Sequence, residues 1–204
     1  MCRTSSPVVT EENGRGWQSK PKTFAHAQRL GQPLFALMID VDHFKQINDV
    51  HGHAVGDRVL ADLAQTCREN VRPEDVAGRY GGDEFIIMVP GITSLRAIQI
   101  AARLTGPPAR VAGSDGNPVT FSVSVGIAEC EPCRDLPTLL ARADRAMYEA
   151  KRAGGGCWRL FEDTEQAADP ALASFGTRYS GRSGHRGTSG MGRKTGTERT
   201  GKGA

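Results

Sequence analysis

The chain has 204 residues, enough for one ordinary domain with a packed core plus tails. Apolar residues make up 38% of it and charged residues 24%, a globular composition, and no apolar run approaches the roughly 20 residues that span a bilayer. The net charge of +3 resides in the last stretch: residues 165–204 carry seven Lys/Arg against three Asp/Glu, so residues 1–164 stand at −1 and present no basic excess for nucleic acid.

Residues 1–22 are polar and aperiodic, with no apolar leader core, so little order and no export are expected, and the cytoplasm is the expected compartment. A short helix is expected at "FAHAQRLG", stopped by Gly31. "PLFALMIDVD" reads as a fully buried strand, apolar without alternation and ending abruptly in acids. "HFKQINDVHGH" follows as a short helix closed by Gly52. The next helix, "VGDRVLADLAQTCRENV", sets Val55, Val59, Leu63, Cys67 and Val71 in one apolar stripe. "DVAGRY" and "EFIIMVP" form a hairpin around Gly81, Gly82 and Asp83, since Gly-Gly accepts the positive φ of a tight turn.

Farther on, "SLRAIQIAARL" is helical. "VTFSVSVGIA" alternates strictly, with Val119, Phe121, Val123, Val125 and Ile127 on one face, which predicts a single half-buried strand. "LPTLLARADRAMYEAKRAG" is a helix ending at glycine, and "CWRLFE" is a closing strand. From about residue 163 the composition turns to Gly, Ser, Thr and Arg, with nine glycines between Gly176 and Gly203, and disorder is expected over 163–204. Hairpins with helices to one side give an α+β domain over 23–162, built on a mainly antiparallel sheet. Of five cysteines, Cys130 and Cys133 have CxxC spacing, but no second pair or spaced histidine completes a zinc site, so reduced thiols are expected.

Two acid clusters end apolar strands: Asp40 and Asp42 after "FALMI", Asp83 and Glu84 before "FIIMV". If these strands are neighbours, Asp40 and Asp83 meet at one sheet edge, and like charges so placed repel unless a cation lies between them. Hard carboxylate oxygens suit Mg²⁺ (or Mn²⁺), whose remaining ligands are water and phosphate oxygens, so a phosphoryl-transfer site is expected. Gly81 and Gly82, lacking Cβ atoms, let a phosphate or base approach the turn. Lys45 supplies a mobile cation, and Asn48 and Asp57 are candidates for reading a base edge. Each of these residues, taken singly, has an ordinary role as loop charge, turn residue or helix N-terminal acid; the combination is what points to chemistry.

That combination resembles the GGDEF family, the diguanylate cyclases, whose signature is literal here as Gly81-Gly82-Asp83-Glu84-Phe85. "IDVDHFKQINDVHGHAVGD", "FSVSVGIA" and "ARADRAMYEAKRAG" are similar to further family segments, so the resemblance covers about Pro33 to Phe161. It implies condensation of two GTP into cyclic di-GMP with release of pyrophosphate, across a homodimer in which the 3′-OH of one nucleotide attacks the α-phosphate of the other. It also implies roles: Asp40, Asp83 and the Val41 carbonyl on Mg²⁺, Glu84 assisting deprotonation of the 3′-OH, and Lys45 on developing phosphate charge. Asn48, His53 and Asp57 would contact the nucleotide, chiefly its guanine, and Lys151 the terminal phosphates. Arg72 and Asp75 form an RxxD in the register of the family's inhibitory product site. No membrane or nucleic-acid partner is implied.

Three departures from the family pattern stand out. "GRGWQSKPKTF" replaces the segment like "DxLTGLxNR", so the opening helix is expected to be missing; Gly155 stands where a phosphate-binding arginine is usual; and no sensor or dimerisation segment is read upstream. Weak activity is expected, and the alternative reading is a module that binds GTP or cyclic di-GMP and regulates a partner without turnover.

Overall fold

The computed structural model of the chain describes residues 9–10, 15–130 and 135–162. In chain order its elements are β1 (Val9–Thr10), α1 (Arg15–Leu30), β2 (Leu34–Val41), α2 (Phe44–His51), α3 (His53–Glu69), β3 (Val76–Gly81), β4 (Glu84–Pro90), α4 (Ser94–Leu104), β5 (Ala109–Ala112), β6 (Pro118–Phe121), β7 (Val123–Cys130), α5 (Leu136–Arg152) and β8 (Trp158–Leu160). The tail expected over 163–204 and Cys133 of the CxxC pair lie outside the described residues. No helix among the described residues is long and apolar enough to cross a membrane.

Six strands form one sheet in the order β1-β3-β4-β2-β7-β8, and β5 and β6 pair separately. The β3–β4, β4–β2 and β2–β7 pairs are antiparallel, while β1 joins β3 and β8 joins β7 in parallel. The sheet is therefore mixed, with the expected antiparallel centre and parallel edges.

β2 lacks alternation because both of its faces are covered. Phe35, Leu37, Ile39 and Val41 pack with Ile47 of α2, Val55, Val59 and Leu63 of α3, and Ala97 and Ile100 of α4. Leu34, Ala36 and Met38 join a second cluster with Ala27 of α1 and Leu139, Leu140, Ala143 and Met147 of α5. Helices thus lie on both faces and surround the central sheet of the expected α+β domain, where the hairpin pattern alone puts them to one side. Each large apolar side chain so buried contributes roughly 1.5–3 kcal/mol, and β2 carries six of them, Leu34, Phe35, Leu37, Met38, Ile39 and Val41, at 2% exposure or less.

Two further expectations are corrected. The opening helix is present: α1 starts at Arg15, nine residues before Phe24, and carries Pro21 within it. A proline in a helix removes one backbone donor, and this residue together with the flanking glycines masked the helix in the sequence. The strictly alternating segment is two strands rather than one. It breaks at Ser122, with β6 pairing β5 and β7 joining the main sheet. β7 is buried on both faces, since Ser124, Gly126 and Ala128 are covered as fully as Val125 and Ile127. These small residues admit α5: a Cβ on Gly126 would collide with the Ala143 carbonyl and the Met147 backbone. α5 starts where Asp135 accepts the Thr138 N–H at 2.7 Å, and it ends in Lys151 and Arg152.

Candidate active site

The antiparallel register of β2 and β4 sets Asp40 directly opposite Glu84, with Asp83 one residue before it in the turn. Gly81 pairs with Glu84, so Gly82 and Asp83 are the two turn residues. Gly82 takes a φ of +52°, which a side chain would resist, and its carbonyl accepts Arg79 Nε–H at 2.6 Å. Gly81 has no positive φ, so only one of the two glycines is there for the turn, while at Gly81 a Cβ would come no nearer than 3.9 Å to Glu84 Oε2. Acids remote in sequence are thus gathered at one end of the sheet by strand pairing alone.

Lys151 comes to the same place from the last turn of α5, donating from Nζ to Asp40 Oδ1 at 2.6 Å. Burial pushes the Asp40 carboxyl up to about 6; Lys151 opposes that rise, and the charges of Asp83 and Asp42 add to it. Glu84 is also raised, first by burial and then by the negative charges of Asp40, Asp144 and Asp83. Asp144 lies two helical turns before Lys151 on α5 and was not singled out in the sequence, where it reads as one more charge on an amphipathic helix. Asp40, Asp42, Asp83, Glu84 and Asp144 act on one another here with Lys151 as the cation among them, which leaves the site short of positive charge.

That shortage, and the hard-oxygen chemistry of the donors, fit a divalent cation such as Mg²⁺ held by Asp40, Asp83 and the Val41 carbonyl. Among the described residues no three His, Cys, Asp or Glu side chains are gathered as a metal cage. A cation here would draw its other ligands from water or a bound phosphate, as Mg²⁺ ordinarily does.

The remaining candidates lie on α2 and α3. Asn48 Oδ1 is buried and has no hydrogen-bond partner among the described residues. It sits over Gly56 of α3, where a Cβ would collide with that oxygen and approach Phe44 Cζ to 3.2 Å. Gly56 is therefore a site residue that the sequence reading missed; its eight-residue offset from Asn48 carries no local signal. His53 and Asp57 are exposed one turn apart at the start of α3, and Lys45 is exposed in the first turn of α2.

Arg72 and Asp75 lie apart from this cluster, just before β3. Val76 pairs with Met88, four residues from Glu84 along β4, a separation of about 13 Å. Asp75 is buried and accepts the Arg72 backbone N–H at 2.7 Å through Oδ2, while its Oδ1 has no partner among the described residues. Burial raises its carboxyl, against the lowering effect of that bond. The Arg72 guanidinium is exposed, 3.9 Å from Glu74 Oε1.

The family model for the diguanylate cyclase GGDEF domain matches residues 18–157. Diguanylate cyclase DosC of Escherichia coli is 39% identical over 135 residues, covering 65% of this chain and 29% of that protein. Response regulator PleD of Caulobacter vibrioides is 42% identical over 130 residues, covering 61% and 28%. The chain thus spans under a third of the length of these curated relatives. Among solved structures, the GGDEF domain of DgcB from Caulobacter crescentus, in complex with c-di-GMP, superposes with a TM-score of 0.67 at 25% identity, covering 79% of this chain and 96% of that one. The GGDEF domain of TpbB from Pseudomonas aeruginosa gives 0.66 at 35% identity, covering 77% and 99%. A fold shared with these domains, a matched family model over most of the described residues, and the acid end of the β2–β4 pair agree: the chain belongs to the GGDEF diguanylate cyclase family.

Proposed function

We propose that the protein condenses two GTP molecules into cyclic di-GMP and pyrophosphate, using Mg²⁺, at the facing sites of a homodimer in the cytoplasm. The observation that carries this reading is the Asp40–Glu84 pairing, with Lys151 donating to Asp40 at 2.6 Å. Asp40, Asp83 and the Val41 carbonyl hold Mg²⁺, which when bound draws charge from phosphate oxygens. Glu84 accepts the 3′-OH proton; burial and the charges of Asp40, Asp144 and Asp83 raise its carboxyl and so make it the stronger base. Lys45 and Lys151 bind phosphate oxygens, with Lys151 exchanging Asp40 for the nucleotide. Asn48 Oδ1, without a partner among the described residues, accepts a base N–H, with His53 and Asp57 contributing from α3 and Gly81 and Gly82 leaving room at the turn. Arg72 and Asp75 form a separate inhibitory site for the product, the Arg72 guanidinium being exposed for bidentate contact.

The test is incubation of the purified chain with GTP and Mg²⁺, following cyclic di-GMP and pyrophosphate. Their joint accumulation, lost in Glu84→Ala, is the expected result. Binding of GTP or cyclic di-GMP without turnover would instead establish the regulatory module. That second reading is favoured by one observation: Gly155 abuts the Asp42 carboxylate, leaving no room for a phosphate-binding side chain there.

A further inference from the structure

Asp42, two residues after Asp40, is buried and bonded on every side. Its Oδ2 accepts from Ser122 Oγ at 2.6 Å and Gly156 N at 2.7 Å, and its Oδ1 from Ser124 Oγ at 2.6 Å. Its own backbone N–H donates to the Ser122 carbonyl at 2.9 Å. One carboxylate therefore joins the end of β2, the break between β6 and β7, and the loop that leaves α5. That loop is three glycines, Gly154, Gly155 and Gly156, all with positive φ (+112°, +75° and +61°). A Cβ on Gly155 would lie 2.8–2.9 Å from the Asp42 carboxylate, closer than real Cβ atoms come to their neighbours. The loop is tied back to α5 as well, by Gly154 N–H to the Lys151 carbonyl at 3.1 Å and Gly155 N–H to the Ala150 carbonyl at 3.2 Å.

We infer that Asp42 is a positioning residue: it holds the Lys151-bearing end of α5 against the strand end that carries Asp40, so that ammonium and carboxylate meet. The significance for catalysis rests on the proposed function, but the positioning itself does not. Asp42 touches neither Asp40 nor Lys151 in any recorded bond; it fixes the backbone on both sides of their ion pair. The triple glycine is then the local sequence that lets the loop close around the carboxylate, and it explains why the bulkier family pattern is absent at position 155.

The test is acylation of the full chain by an amine-reactive succinimidyl ester, with rates at Lys22, Lys45 and Lys151 read by peptide mass spectrometry. Asp42→Ala is expected to speed labelling of Lys151 about fivefold, as an ion pair is lost, while Lys22 and Lys45 keep their wild-type rates. Gly155→Ala, which presses a methyl onto the same carboxylate, is expected to act alike, and it decides the matter should Asp42→Ala not fold. Asp42→Asn keeps the shape and an acceptor oxygen and should restore near-wild-type protection. An unchanged Lys151 rate in a folded Asp42→Ala or Gly155→Ala protein overturns the inference, and so does an equal rise at all three lysines, which would signal general loosening. Where wild-type turnover of GTP is measured, the same two variants should lower it about tenfold, the usual cost of losing a group that orients a site residue. A wild type without turnover would sink the functional reading while the labelling still decides the positioning.

Discussion

The two ends of the β3–β4 hairpin use buried acids in opposite ways. At the root, Asp75 has its raised carboxyl answered by the Arg72 backbone N–H at 2.7 Å, so the acid closes the turn that starts β3. At the tip, Asp40 and Glu84 face each other across the strands with Asp83 alongside, and one ammonium answers them. Asp75 finds its donor three residues away, at Arg72. The acids at the tip are left crowded, at a cost in stability that a bound cation would offset.

The largest effect should come from the tip. Glu84→Gln keeps the shape and removes the proposed base, so GTP turnover should fall by about 10²–10⁴-fold while the thermal midpoint stays near wild type. Equal loss from a substitution at the root would erase the distinction.

Next comes Asp40. Its folded carboxyl stands near 6, above the ordinary 3.8, so the native state binds more protons than the unfolded chain between those values. Its contribution is therefore most favourable below pH 4 and is lost as pH rises toward 6. Without metal or nucleotide, Asp40→Asn should stabilise the protein at pH 7 by about 2 kcal/mol, a figure that already includes the Lys151 pair, while ending turnover. Denaturant unfolding at pH 4 and pH 7 checks this: the gain should vanish at the lower pH.

Smaller effects belong to the root. Asp75→Ala should cost about 1–2 kcal/mol through loss of the bond to Arg72 N, and Asp75→Asn, which keeps an acceptor, much less. Arg72→Ala should change stability by under about 0.5 kcal/mol, since its side chain is exposed, yet raise cyclic di-GMP yield by relieving product inhibition. Inhibition unchanged in that variant would remove the product-site reading.

The tip was legible because its information is local. A strand that ends in acids and a turn spelled Gly-Gly-Asp-Glu announce themselves in sequence, and antiparallel pairing of neighbours suffices to bring Asp40 to Glu84. What escaped depends on distant partners. Helices on both faces were hidden because a continuous apolar run such as Leu34–Val41 says that a strand is buried without saying by what. Gly126 fell on the uncovered face of a strand read as half-buried, and only the approach of α5 covers it. Asp144 and Gly56 belong to the site through helix packing, which leaves no motif. α1 was obscured by Pro21, a case of tertiary context overriding local propensity.

Manganese binding followed by electron paramagnetic resonance, with GTP present, tests the shared-cation claim at the tip most directly. The account predicts that Asp40→Ala and Asp83→Ala, each still folded, both lose the bound-ion signal of the wild-type protein. Retention of that signal in either variant would show that the two carboxylates do not hold one metal.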